Sequence, residues 1–454
     1  MLLLSAPQTS LENPVQIHPP IPAILSRREF VAAGGLVAAG LAMPSLALAT
    51  TPIVRWPGVS GLVRDYVDSG KVANMVAAIG LGNPDPDVMA QGTTSFTSTT
   101  RVDADTLYRI YSMTKPITGM AIMRCIEEGW LELDQPIADI IPGFANMQVQ
   151  KVYDGPITAD NLEPAIRPIT VRHCLTHTAG LGYGIVQQGP ISQAYTQAGL
   201  VPGSVTRLQN VPAFRGTPVG SLRAFAEGLA EMPLVHQPGT KWSYSVGLDL
   251  LGRVIEVVSG QPFDRFLQER FFDPLAMTST MFQLPQSQVP RFTTNYYLLG
   301  GTLLPIDLPE SSIYLDEPPF PFGGAGLVSS ARDYDRFLRM LAGRGMLDGV
   351  RVLDRESADL GTSDLFPDTL AADGGFSTGG RAFGFGAGGL VGRGDAAGLF
   401  GWFGAAGTCG LVNMAAGLRQ TLMTQYMPSQ DYPLQNDFPV IVAADAAALA
   451  RTRG

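Results

Sequence analysis

Apolar residues recur three and four apart in several segments of the chain, and each such segment predicts a helix with one buried face. Residues 60–80, opening on Gly61-Leu-Val-Arg-Asp-Tyr-Val67, predict a helix, followed by a strand around Val76–Gly82. A helix is expected over Ser112–Glu128, with Gly129 ending it in the left-handed conformation. A short helix over Arg172–His177 should stop at Ala179-Gly180. The same spacing marks Leu222–Met232, Val246–Ser259 closed by Gly260, Phe263–Phe272 and Ala331–Leu341, with a final helix over Phe438–Arg451. Apolar runs such as Gly326-Leu-Val-Ser and Gly410-Leu-Val-Asn read as strands. Strands near both ends, with helices between, imply a sheet assembled from distant parts of the chain, in one intertwined domain with a helical insertion. No period of 20–50 residues points to a repeat array.

Composition narrows the function. With 45% hydrophobic residues the 454-residue chain can bury a large core. Counting 31 Lys+Arg against 40 Asp+Glu gives −9, which argues against nucleic acid or an anionic membrane surface as the partner. Three cysteines, Cys125, Cys174 and Cys409, form neither a disulfide framework nor a C-x-x-C pair. His173 and His177 stand four apart, but no third ligand accompanies them, so no metal is expected. Arg27-Arg28-Glu29-Phe30 precedes an apolar stretch, Val31–Leu48, that ends in Ala47-Leu48-Ala49. Residues 1–49 therefore read as a twin-arginine export signal, leaving 50–454 as a periplasmic or secreted enzyme domain. An uncleaved anchor helix is the alternative, disfavoured by Pro44 and the many small residues.

Four strings could carry chemistry. Gly375-Phe-Ser377-Thr-Gly379 matches a nucleophile elbow, but no strand precedes it and no helix follows. Gly384-Phe-Gly-Ala-Gly-Gly389 matches a dinucleotide fingerprint, yet it opens no helix and reads better as a β-hairpin, so no nucleotide is expected. Ser112-Met-Thr-Lys115 is followed by Pro116, and proline is tolerated only in a helix's first turn. The helix must then begin near Ser112, which puts Lys115 one turn on, with Ser112 at the positive end of the helix dipole. A hydroxyl, an amine and a free amide suit an acyl-transfer nucleophile. From position alone, a capping serine with a solvated lysine fits equally well. Tyr244, in Pro238-Gly-Thr-Lys-Trp-Ser-Tyr-Ser245, enters a helix near Lys241 and suits a proton carrier; a buried structural tyrosine is the alternative.

Taken together, these segments resemble the serine β-lactamase and penicillin-binding-protein superfamily, and most nearly its family VIII carboxylesterases, which are related to class C β-lactamases. The likeness runs through Arg109–Pro116, Leu175–Leu181, Pro238–Ser245, Gly323–Asp333 and Phe400–Thr408, in matching order over about residues 60–430. It implies an α+β fold of the β-lactamase/D-Ala-D-Ala carboxypeptidase type: an antiparallel sheet flanked by helices, with a mostly helical subdomain at roughly 116–310. It implies Ser112 as nucleophile, a Lys115–Tyr244 general base, and an oxyanion hole from the backbone N–H groups of Ser112 and Ala405. His177 and Asp333 lie in matched segments but are read as structural. No cofactor or metal is implied.

Two departures point to the substrate. Val246 stands where β-lactamases carry the Asn of Tyr-x-Asn, and Trp402-Phe403-Gly404 stands in place of Lys-Thr-Gly. Losing an amide donor and a cation disfavours anionic β-lactams by roughly 1.5–3 kcal/mol per charged hydrogen bond. An aromatic wall of Trp402 and Phe403, beside Gly404, suits neutral apolar groups. The expectation is an exported serine hydrolase that cleaves carboxylic esters, with a small-molecule ester as its substrate. Amide, D-peptide or weak β-lactam hydrolysis, or acyl transfer, is the first alternative; a catalytically silent cell-wall or partner-binding module is the second. Oligomeric state is left open.

Overall fold

The computed structural model describes residues 55–208, 216–371, 376–378 and 381–453. The expected export segment lies outside them, as do Gly375 and Gly379 of the elbow-like string. A first helix, α1 (Pro57–Asp68), leads into β1 (Asn74–Leu81) and β2 (Asp87–Gly92). This corrects the expected helix over 60–80: α1 stops at Asp68, and Gly70 (φ 72°) turns the chain into the strand. A short strand β3 (Leu107–Arg109) and a 3₁₀ turn (Tyr111–Met113) then precede α2 (Thr114–Glu127), with Pro116 in its first turn and Gly129 at φ 72° past its end.

After α2 come α3 (Val171–Leu175), α4 (Leu222–Ala230) and α5 (Gly247–Ser259), the last closed by left-handed Gly260. Against the expected Arg172–His177, α3 starts one residue earlier, where Thr170 and His173 form a capping box, and stops sooner, because the chain leaves helical geometry before His177, at φ 56°. Phe263–Leu267 continues as a π-helical turn over Gln268–Phe272. Two short strand pairs also fall in the stretch 116–310 or at its edge: Gln148–Gln150 with Leu162–Pro164, and β4 (Asn295–Leu299) with β5 (Thr302–Asp307).

The run at Gly326 yields β6 (Val328–Ser330), which pairs with β3 instead of joining the main sheet. Next is α6 (Ala331–Ala342). The chain then lays down β7 (Phe376–Thr378), β8 (Arg381–Phe385), β9 (Leu390–Gly392), β10 (Leu399–Phe403), β11 (Cys409–Asn413) and β12 (Leu418–Met423). The main sheet is antiparallel throughout, in the order β7-β8-β9-β10-β11-β12-β1-β2. The first strands of the chain thus lie beside its last long strand, as the distribution of apolar runs implied. A final helix, α7 (Leu434–Arg453), packs on α1.

Ser377 falls inside edge strand β7, not on a strand-to-helix turn, and Gly384–Gly389 spans the β8–β9 hairpin. Among the described residues no helix is long and apolar enough to cross a membrane.

Candidate functional site

The turn at Ser112 is held on three sides. Arg109, buried at the end of β3, donates through Nε to Asp307 Oδ2 (2.9 Å) and through a terminal nitrogen to Thr293 O (2.6 Å), with Phe292 against its guanidinium. Tyr334 on α6 donates its hydroxyl to Met113 O (3.0 Å). Tyr111, directly before Ser112, sits at φ 42°, where a bulky residue costs roughly 1–3 kcal/mol. Its hydroxyl accepts from Asn295 Nδ2 (2.8 Å) while burial drives its pKa well up. This clamp holds the strained turn and leaves Ser112 partly exposed between buried neighbours.

Lys115 is fully buried, so the reading of a capping serine beside a solvated lysine fails. Its Nζ donates to Ser112 Oγ (3.3 Å) and to Gly324 O (2.7 Å) and lies 4.6 Å from the centre of the Tyr244 ring. The far side of the same loop residue is tied down as well: Gly324 N–H donates to Asp249 Oδ1 (2.9 Å). Asp249, in the first turn of α5, is buried, and burial pushes its pKa up to about 6 against the pull of Lys115 and the Gly324 N–H. Motif reading missed Asp249, because its partner is 75 residues away.

Tyr244 is almost fully buried, packed between His177 (4.8 Å), Tyr183 (5.6 Å) and Trp402 (5.8 Å), measured centre to centre. Its hydroxyl oxygen accepts the indole N–H of Trp402 (3.2 Å). Trp402, expected only as a wall, therefore also fixes the phenol. The loop carrying Tyr244 is anchored by His177 Nδ1, 3.0 Å from Ser245 Oγ. Burial, with Lys115 nearby, drives the His177 pKa well below its usual value and keeps the ring neutral. His173 Nδ1 instead accepts the Thr170 N–H, so the two histidines serve separate backbone contacts. Among the described residues no group of three His, Cys, Asp or Glu is placed to hold a metal. Asp333 accepts from Ser279 N–H and Thr280 Oγ1 (2.7 and 2.9 Å), away from these groups.

Strand β10 and the loop after it close the other side. Gly404 is required there: a Cβ would come within 2.5 Å of Ile110 O and closer still to Thr408 Oγ1. Its lack of a side chain lets the strand end lie against the Ser112 turn. Among the described residues neither the Ser112 N–H nor the Ala405 N–H has an intramolecular acceptor. Ser112, Tyr244, Trp402, Phe403, Gly404 and Ala405 all line one cleft of about 120 Å³, together with Ile185, Val186 and Gln435. The arrangement offers a hydroxyl, a buried amine, a phenol and two unpaired N–H donors around one small, mainly apolar space.

An antiparallel sheet flanked by helices, with this Ser-x-x-Lys turn and facing tyrosine, defines the fold of the serine β-lactamases and penicillin-binding proteins. Residues 59–444 match the family described as Beta-lactamase, and the chain belongs to it. Among curated proteins it is similar to Protein Rv1367c of Mycobacterium tuberculosis, 35% identical over 68% of this chain and 72% of that protein. It is also similar to Esterase EstB of Burkholderia gladioli, 32% identical over 52% of this chain and 57% of the esterase. The solved structure titled EstCE1, a hydrolase with promiscuous acyltransferase activity, has a TM-score of 0.68 at 25% identity, covering 86% of this chain and 97% of that one. Unliganded simvastatin synthase from Aspergillus terreus shares the fold at TM-score 0.67 and 21% identity, over 88% and 99% of the two chains. The chain is an enzyme of the serine hydrolase, esterase-like type.

Proposed function

We propose that this enzyme hydrolyses small, neutral carboxylic esters through an acyl-enzyme on Ser112. The observation that carries the reading is the 3.3 Å contact between Ser112 Oγ and the buried Lys115 Nζ, in a cleft shared with Tyr244. As Ser112 Oγ bonds to the ester carbonyl carbon, its proton passes to the Lys115–Tyr244 pair. The carbonyl oxygen takes up the negative charge between the Ser112 and Ala405 N–H groups. Collapse breaks the bond to the alkoxide, which leaves with the proton held by the pair. Water then attacks the acyl-enzyme, gives its proton to the same pair, and frees the acid and Ser112. The Trp402 N–H at the phenol oxygen favours any negative charge that develops there as the proton moves.

Ester preference over β-lactams rests on what surrounds Ser112. Val246 is buried at the start of α5 and offers no side-chain donor, and the third-motif position holds the Trp402 indole where a cation would meet a carboxylate. p-Nitrophenyl butyrate should turn over faster than nitrocefin; the reverse order would overturn the substrate class. Ser112→Ala should abolish ester hydrolysis and labelling by a fluorophosphonate probe, whereas Ser377→Ala should leave both intact.

Acyl transfer is a second reading, favoured by the similarity to a hydrolase with promiscuous acyltransferase activity. New ester formed from p-nitrophenyl butyrate and an added primary alcohol would measure it. We also propose export, on residues 26–49 alone; Arg27→Lys with Arg28→Lys should retain a reporter fusion in the cytoplasm.

A further inference from the structure

The Ala405 N–H hangs from a loop, Gly404–Thr408, that belongs neither to β10 nor to β11. A donor on a loop helps a transition state only if its direction is fixed before the charge arrives. Two turn hydrogen bonds within the loop, Gly404 N–H to Thr408 O (2.9 Å) and Gly407 N–H to Gly404 O (3.3 Å), set its curvature. The second of these already meets the Gly404 carbonyl, though at the longer distance, and neither engages the Ala405 N–H itself.

The first turn of α7 supplies a second and shorter hold on that carbonyl. Gln435 is 1% exposed, and its Nε2 donates to both Gly404 O and Thr408 O, each at 2.8 Å. Both partners are carbonyl oxygens, so the amide orientation is settled by its contacts. Gly404 O and Ala405 N–H are the two ends of one peptide group. That group is trans and planar, so its N–H points opposite to its C=O. Whatever fixes the carbonyl therefore fixes the donor. With Gly404 O turned towards Gln435, the Ala405 N–H is directed the other way, with no acceptor of its own among the described residues.

We propose that Gln435 is a positioning residue of the oxyanion hole: its side-chain amide, gripping the Gly404 and Thr408 carbonyls, aims the Ala405 N–H at the carbonyl oxygen of the substrate. The inference rests on Ser112 being the nucleophile, and it adds a residue from the C-terminal helix to the site. Losing the grip leaves the Gly404–Ala405 peptide held only by the longer Gly407 N–H contact and frees it to tilt. The ground-state ester, which needs the donor least, is then bound as before, and the tetrahedral state is held less well.

The test uses the whole chain and two variants, Gln435→Met, which keeps length without the donor, and Gln435→Glu, whose carboxylate would face two carbonyl oxygens. For p-nitrophenyl butyrate, kcat should fall about 10- to 100-fold in Gln435→Met and further in Gln435→Glu, with KM within about twofold of wild type. The inhibition constant of a trifluoromethyl ketone, which becomes a tetrahedral adduct, should rise in step with the loss in kcat/KM. That of butanol, a product-like ligand, should not move. Unchanged kcat in a folded Gln435→Met would overturn the proposal, and so would an equal rise in KM and in the butanol constant, the mark of a merely collapsed cleft. Ser112→Ala is run alongside: if it stays active, the nucleophile reading fails independently of Gln435. If it is dead while Gln435→Met is normal, only the positioning role fails.

Discussion

Asp249 offers a sharp test of the electrostatics beneath Lys115. Its carboxyl is buried, faces Lys115 and accepts the Gly324 N–H, yet desolvation outweighs both and raises its pKa from 3.8 to about 6. Between about pH 4 and 6 the folded protein therefore keeps a proton that the unfolded chain has released. Stability falls as pH rises through that window, and the whole cost is present above pH 6. At about 1.4 kcal/mol per pH unit, the displacement amounts to about 3 kcal/mol. Asp249→Asn keeps an oxygen for Gly324 N–H and removes the titration. The stability of Asp249→Asn minus that of wild type, from urea unfolding at several pH values, should rise by about 3 kcal/mol from pH 4 to pH 7.5. Any constant packing cost of Asn cancels in that difference. The same variant should lose kcat, since Lys115 keeps its carbonyl partner but loses its anionic neighbour; extra stability above pH 6 with poorer turnover is the expected trade. A difference that stays flat with pH would show that the ionised carboxylate is not destabilised, and the account of this buried cluster would fail.

Three further outcomes follow from the geometry. Tyr244→Phe keeps the ring over Lys115 and removes the hydroxyl, so kcat for p-nitrophenyl butyrate should drop roughly 10²–10⁴-fold with little change in melting temperature; a loss under threefold would exclude the phenol from proton transfer. Phe403→Gly should widen the cleft, moving the octanoate-to-acetate ratio of kcat/KM upward, and an unchanged ratio would remove Phe403 from the acyl wall. His173 and His236 are held near pKa 4, chiefly by burial, below their unfolded value of 6.5. Each then costs the fold up to about 3 kcal/mol as pH falls from 6.5 to 4, where the unfolded chain binds the proton first. His173→Gln can retain the capping box with Thr170 and should flatten that acid limb; identical acid limbs in the two proteins would contradict it.

What the sequence exposed, and what it hid, follows the range of the interactions. The Ser112–Lys115 turn was legible because Pro116 fixes where a helix can start, and α5 because apolar spacing and Gly260 mark its body and its end. The glycine-rich hairpin after Arg381 was legible for the same local reason, turn chemistry. The expected first helix runs too long because its periodicity continues past Gly70, a left-handed glycine that ends α1 through local bonds (Lys71 N–H to Tyr66 O, 3.1 Å) just as Gly260 ends α5. The run at Gly326 was correctly read as extended, but nothing in it says that it pairs with β3 at the Ser112 turn and not with the main sheet. Trp402 was seen by position and understood only in part, since its hydrogen bond to Tyr244 has no local signature. Asp249 and Gln435 carry no motif at all.

These hidden contacts share one design. Gly324 O meets the Lys115 amine across 209 residues of chain, the Trp402 indole meets the Tyr244 phenol across 158, and the Gln435 amide meets the Gly404 carbonyl across 31. Each group that would handle a proton or a charge is held by a neutral dipole from another element, not by a charged partner in direct contact. Neutral dipoles orient such groups without cancelling the charge that must move, which is the condition for a preorganised site to stabilise a transition state more than a ground state. The reactive residues can thus be named from short strings, whereas their orientation is a property of the packing that brings β10 of the main sheet against the separate β3–β6 pair and the loop before β6. Grafting Ser-x-x-Lys and a facing tyrosine onto another scaffold would transfer the reagents without the three clamps, and should yield labelling by strong acylating agents with little turnover of ordinary esters.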